Sequence, residues 1–215
     1  MPLPSLKDEL IIDSVLSGKK DDYELIMRRY NERLYRIGIS ILKDDIEVED
    51  VMQETYIKAY NQLNNFKRQS KFSTWITRIM INESLAKLKR KKKFERYSEI
   101  EEEHFHGVPQ HAYAANNETP EKQFLQKEMN TLLTSAIRSL PQKYQTVFMM
   151  REIEMMTVQE TAECLNITSE NVKVRLHRAK ELLKTNLKTI SPRQEFFSFE
   201  QPRCDKIVDS VLRKI

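Results

Sequence analysis

TVQETAECLNITSENVKVRLHRAK, residues 157–180, carries the punctuation of two short helices joined by a tight turn. Thr157 followed three residues later by Glu160 fits a capping box, and Thr168 suits the N-cap of a second helix. Between them Leu165-Asn166-Ile167 supplies the turn, with asparagine at a position that must tolerate positive φ. In the second helix Val172, Leu176, Ala179 and Leu183 fall on one side, leaving Lys173, His177, Arg178 and Lys180 among the outward residues. A helix that enters the DNA major groove needs that division, because its outer side chains must reach base edges and phosphates. An ordinary helical hairpin with a solvated basic face is the plainer alternative. Caps, turn and basic face arriving in this order favour a helix-turn-helix.

The rest of the chain agrees with an all-α fold. Glycine occurs three times in 215 residues, and charged residues make up 32%. Leu, Ile, Met, Glu and Lys, which favour helices, recur throughout. Six of the seven prolines lie at the N-terminus (Pro2, Pro4), in the middle (Pro109, Pro120) or near the end (Pro192, Pro202), leaving two long stretches broken only by Pro141. The net charge of +4 is mild, so its distribution says more about partners than its total. No apolar run approaches the roughly 20 residues that cross a bilayer. The start MPLPSLKDE lacks the order of a signal peptide, so no membrane insertion and a cytoplasmic location are expected. Cys164 and Cys204 have no neighbour at metal-ligand spacing and read as small hydrophobes.

Periodicity divides the chain into residues 1–96, a linker at 97–120, a second domain at 121–190 and a tail at 191–215. Tyr23, Ile26, Tyr30, Leu34, Ile37 and Ile41 form the stripe of an amphipathic helix. A shorter helix precedes it, with Leu10, Ile11, Val15 and Leu16 apolar and Gly18 suited to the left-handed cap. Two more follow at about 46–61 and 73–91. The linker mixes acids with His104, His106, His111, Gly107 and Pro109; without cysteines beside them the histidines do not indicate a metal site. In the second domain Leu125, Met129, Leu132, Ala136 and Leu140 resume the period. In the tail, Ile207, Val208, Val211 and Leu212 make a small apolar repeat expected to pack on a domain or a regulator.

On the helix from Ser73, residues Trp75, Arg78, Asn82, Lys89 and Lys93 share one face with Lys71 before it, opposite Ile76, Ile79 and Ala86. A tryptophan is usually core. Here it stands in a cation stripe just after Phe66 and Phe72, and single-stranded DNA needs stacking platforms among cations. The helix runs into KLKRKKKFER, residues 87–96, which is either a solvated face or a phosphate contact.

Two blocks resemble a known family. DDIEVEDVMQETYIKAYNQLNNFKRQSKFSTWITRIMINE (residues 44–83) is similar to the second conserved region of extracytoplasmic-function (ECF) sigma factors. LPQKYQTVFMMREIEMMTVQETAECLNITSENVKVRLHRAKELL (residues 140–183) is similar to the fourth. Three departures stand out: Met155 and Asn166 replace residues that are usually glycine, and KRQSKF before the tryptophan lacks a common glycine. The resemblance implies two helical domains joined by a flexible linker, with core RNA polymerase and promoter DNA as partners and no catalytic site or cofactor. It implies polymerase docking on Asp50, Gln53, Glu54 and Ile57, which share a helical face at i, i+3, i+4 and i+7. It assigns the minus-10 element, with a flipped base, to Phe66, Lys67, Phe72, Trp75, Arg78 and Asn82. The minus-35 element falls to Thr168, Ser169, Glu170, Asn171, Lys173, Arg175, His177 and Arg178. Extruding a base costs a few kcal/mol, so trapping it helps melt the duplex without ATP. Whether an anti-sigma factor binds as well is left open.

Two other classes fit the sequence less well. A dimeric repressor or activator explains residues 157–180 and leaves residues 44–83 unexplained. A nuclease using Asp44, Asp45, Glu47, Glu49, Asp50 and Glu54 needs carboxylates that converge on a cavity, whereas these sit at a helix start, where the helix dipole favours acids.

Overall fold

The structure is a computed structural model and describes residues 6–97, 130–186 and 201–214. Among these residues there is no strand. The element order is α1 (Asp8–Leu16), α2 (Tyr23–Leu42), α3 (Asp45–Asn61), α4 (Phe72–Tyr97), α5 (130–138), α6 (Gln142–Phe148), α7 (Val158–Leu165), α8 (Ser169–Asn186) and α9 (Gln201–Leu212). Most of the expected linker, with its three histidines, lies outside the described residues, as do Leu125 and Met129.

Helix α2 is the central strut. Its predicted stripe is buried throughout, and burial extends to Met27, Tyr35, Ile39 and Leu42 on other sides, because α1, α3, α4, α6 and α9 all pack against it. Gly38 marks a close crossing: a Cβ there would collide with Met80 Cε and lie 2.9 Å from Val48 Cγ1, so α3 and α4 close on α2 where it lacks a side chain. Two buried phenols add specific hydrogen bonds. Tyr23 donates to the Tyr56 carbonyl at 2.9 Å, and Tyr56 donates to the Met27 carbonyl at 3.1 Å. Burial raises both hydroxyls above the ordinary tyrosine range.

Local signals set the ends of the elements. Helix α1 stops at Ser17, followed by Gly18 at φ 104°, as its sequence predicts. Its inner side is Ile11, Ile12 and Val15, while Leu10 and Leu16 face solvent. Asp44 caps α3 by accepting from the Glu47 amide at 3.0 Å. Helix α4 runs six residues beyond the expected end, since its Lys and Arg run contains no glycine or proline and those residues favour helix. Along it Ala86 is exposed rather than apolar core, and Thr77, Met80, Ile81 and Ser84 turn inward instead. On α5 the buried stripe is Leu133, Ala136 and Ile137, continued by Leu140, with Leu132 facing solvent. Ala136 and Leu140 are inside as predicted, and Leu133 takes the inward place expected of Leu132.

The tail repeat packs as expected, on the N-terminal half. Helix α9 lies against α2 and α3, with Ile207, Val208 and Val211 at 0–1% exposure. Burying each contributes about 1.5–3 kcal/mol relative to leaving it in water.

The two halves share one continuous core. Helix α6 meets α2, and α7 meets α4. Ser40 Oγ donates to Thr146 Oγ1 at 3.1 Å across this boundary. A π-helical turn, Met149–Ile153, extends α6 and delivers Glu154 to α2. There its carboxylate accepts from Arg33 Nε and Arg36 Nη1, both at 3.1 Å, and its carbonyl accepts from Arg33 Nη2 at 3.3 Å. The carboxylate is 7% exposed.

Removing one partner of such a buried group leaves opposite charges uncompensated and costs about 3–5 kcal/mol. Glu154→Ala is therefore expected to loosen the two halves, raising the radius of gyration in small-angle scattering while helical content is kept. An unchanged scattering profile would show that the apolar contacts alone hold the halves.

Candidate nucleic-acid and polymerase interfaces

Helices α7 and α8 form the expected helix-turn-helix. Thr157 and Glu160 make both halves of a capping box: Glu160 Oε2 accepts from the Thr157 amide at 2.7 Å, and Thr157 Oγ1 accepts from the Glu160 amide at 3.1 Å. Burial opposes ionisation of Glu160, but hydrogen bonds from Lys71 and Thr157 outweigh it and hold its carboxyl at about 2. Asn166 closes α7 at φ 52°, ψ 50°. Thr168 then caps α8, accepting from the Asn171 amide at 3.2 Å. Val172, Ala179 and Leu183 are fully buried and Leu176 packs beside them.

The outer face of α8 is the exposed one. Lys173, His177, Arg178 and Lys180 all face solvent, as do Thr168, Glu170 and Asn171, with Ser169 and Arg175 half-buried. Several already have weak partners. Arg175 Nε donates to Asn171 Oδ1 at 2.9 Å, Arg178 pairs with Glu181 at 2.9 Å, and Lys180 pairs with Glu152 at 2.9 Å. Exposed pairs of this kind contribute about 0–1 kcal/mol, so phosphates can displace them.

The start of α4 assembles an aromatic cluster beside cations. Trp75 lies 5.1 Å from Phe66 and 5.5 Å from Phe72 between ring centroids, and Phe66 meets Phe72 edge-on at 5.4 Å. Phe72 is 4% exposed and also touches Tyr30, so it supports the cluster from below. Phe66 and Trp75 form its half-buried outer part, and Lys67, Lys71, Arg78 and Asn82 are exposed around it. The basic run further along divides. Lys87 and Lys91 pair with Asp50 and Glu47 of α3, while Lys89 and Lys93 face solvent.

The acidic patch on α3 is partly open. Asp50 and Glu54 are exposed, and Gln53 and Ile57 are half-buried. Gln53 Oε1 accepts from Ser210 Oγ of α9 at 2.7 Å. Sequence periodicity could place the four residues on one face but could not show that the tail reaches it.

The two residues that stand where glycine is usual, and one residue of KRQSKF, share a backbone feature. Arg68, Met155 and Asn166 all have positive φ, at 56°, 53° and 52°. The backbone shape is kept even though the residue that adopts it most easily is absent.

A basic-faced helix-turn-helix and a helix with aromatics among cations are the two parts of a sigma-70-type transcription factor, and comparison with known proteins agrees. The family model for Sigma-70 region 2 matches residues 26–94, and that for Sigma-70 region 4 matches residues 131–183. The chain is 32% identical over 180 residues to the ECF RNA polymerase sigma factor SigW of Bacillus subtilis, covering 83% of this chain and 96% of that one. It is 25% identical over 185 residues to the ECF RNA polymerase sigma-E factor of Haemophilus influenzae, covering 86% and 97%. A solved structure of CnrH in complex with the cytosolic domain of CnrY shares the fold, with TM-score 0.56, 20% identity, and coverage of 86% of this chain and 99% of that one. The chain belongs to the ECF family of RNA polymerase sigma factors, whose work is promoter-specific transcription initiation.

Two outcomes test these loops and caps. A non-glycine residue in the left-handed region costs about 1–2 kcal/mol, and Met155 is 75% exposed with little packing to lose. Met155→Gly should therefore raise the free energy of unfolding by about 0.5–1 kcal/mol, after glycine's own entropy cost, as read from denaturant titration. The folded Glu160 carboxyl ionises below its ordinary 4.5, so its stabilisation is full above that pH and fades as pH falls through about 2. Glu160→Gln is expected to destabilise the protein at pH 7 and to narrow that difference at pH 3, as read by thermal melts.

Proposed function

We propose that this chain directs core RNA polymerase to promoters by dividing the work between its two halves. Helix α8 reads the minus-35 element in duplex DNA through Lys173, His177 and Arg178. The helix start, Thr168 to Asn171, and Arg175 set its register on the phosphates. The α4 surface acts at the minus-10 element, where Phe66 and Trp75 stack against an extruded base, Asn82 reads it, and Lys67 and Arg78 neutralise the strand. Phe72 holds the two outer rings in place. Asp50, Gln53, Glu54 and Ile57 dock on polymerase.

The observation that carries this reading is the pairing of a basic-faced helix-turn-helix with an aromatic cluster ringed by exposed cations in one chain. Neither surface needs a catalytic group or a cofactor. An anti-sigma factor is a further proposed partner. Its support is the similarity of fold to CnrH, solved with the cytosolic domain of CnrY, and to RpoE of Bartonella quintana, solved with the anti-sigma factor NepR.

Two mutants separate the halves. Arg178→Ala should weaken binding to promoter duplex by about 1–3 kcal/mol if it contacts a base. Asn82→Ala should leave duplex binding intact and slow strand opening, measured by permanganate reactivity of unpaired thymines. The reverse pattern would overturn the assignment. On the polymerase side, Asp50→Ala with Gln53→Ala should weaken core polymerase binding in a pull-down titration, with circular dichroism unchanged. Affinity equal to that of the parent would remove the docking patch.

A further inference from the structure

Helix α9 lies in the groove between α2 and α3, and its contacts run along the edge of the acidic patch. Ser210 hydrogen-bonds Gln53, Lys206 faces Glu49 at 3.7 Å, and Asp205 pairs with Arg28 at 2.5 Å. Beneath these polar contacts Ile207, Val208 and Val211 are buried against the same two helices. Asn31, itself 1% exposed, donates to Cys204 Sγ at 2.8 Å at the start of the helix. On α3, only the side carrying Asp50 and Glu54 stays clear of α9 and exposed.

We infer that α9 and core RNA polymerase compete for the Gln53 face of α3, so that the tail is a tethered occupant of the polymerase-docking surface. The inference rests on the docking patch proposed above. Packed helices lie 8–10 Å apart axis to axis, and α9 already stands within hydrogen-bond distance of Gln53. A polymerase helix that uses Gln53 must therefore take the place of α9. Asp50 and Glu54 offer an open flank for the first contact.

The tail suits a displaceable role. At 12 residues it is too short to be a stable helix alone in water, so its order depends on the groove. Its polar contacts to α3 and α2 are few, and two are partly exposed ion pairs. Being part of the same chain, it returns to the groove without a diffusional search. Apparent polymerase affinity is the intrinsic affinity multiplied by the fraction of time the groove is open: a groove open one-tenth of the time weakens apparent binding about tenfold.

The test uses the full-length chain and core polymerase. Ile207→Asp with Val211→Asp is expected to bind polymerase about tenfold more tightly than the parent. Unchanged or weaker binding by this variant, while Asp50→Ala with Gln53→Ala still weakens the parent, would overturn the competition and leave the docking patch standing. If Asp50→Ala with Gln53→Ala has no effect, the patch fails and the competition fails with it. A second measurement on the parent protein covers the case in which the tail variant misfolds. Amides from Ile207 to Leu212 are expected to be protected from hydrogen exchange in the free protein and to lose that protection in the polymerase complex. Protection retained in the complex would overturn the inference.

Discussion

The buried carboxylate of Glu154 is the charged tie between two halves that also share one apolar core, and it fixes where the end of α6 meets α2. With its charge almost shielded from water, it is tolerable only because Arg33 and Arg36 both reach it. A buried charge without such partners is strongly unfavourable. The arginines stand one turn apart on α2, and the carboxylate leaves a π-helical turn that widens the end of α6. Beyond Glu154, α7 lies against the start of α4. There Cys164 Sγ approaches the Thr74 carbonyl at 3.4 Å and Lys71 meets Glu160 at 2.9 Å. The Cys164 thiol, buried there, is pushed up to about 12, in keeping with its reading as a small hydrophobe.

The helix-turn-helix and the end of α1 were legible because they depend on local rules. Capping at Thr157 and Thr168, the break at Gly18 and the stripe on α2 involve residues within a few positions of each other. What was less legible depends on what lies across from a residue. Leu132 and Leu133 both fit an apolar period, and only the position of the neighbouring helices decides that Leu133 is inside. Ala86 is small and apolar, yet it lies on the exposed side of α4, while Ser84 and Leu88 turn toward the core. Phe72 reads as a stacking platform in sequence, but Tyr30 of α2 lies 5.7 Å from it and encloses it. Glu154 carries no local signal at all, since its partners are about 120 positions away.

The glycine departures show how far backbone shape can be kept while its usual residue is lost. Asn166 is the mild case, as asparagine is enriched at positive φ. Arg68 and Met155 are costlier, and both lie on loops where an exposed side chain meets little crowding. Arg68 also pairs with Asp13 of α1, a partner glycine could not offer. Part of the cost of its backbone is thus offset by a contact that ties the loop before α4 to the N-terminal helix.

The surfaces proposed for DNA and polymerase are not idle in the free chain, and the strengths of their contacts differ in a telling way. Lys71 holds Glu160, Arg178 holds Glu181, and Asp50 holds Lys87, each with at least one well-exposed partner. Such pairs contribute about 0–1 kcal/mol and weaken further with salt. DNA phosphates, which release condensed counterions as cations bind, compete well with contacts of that size. The Glu154 cluster is different, because its charge is buried and its loss takes a partner from both Arg33 and Arg36. Weak contacts therefore lie where partners are proposed to bind, and the strong one lies between the halves. A ligand that needs the halves apart must supply more free energy than one that only replaces a surface pair.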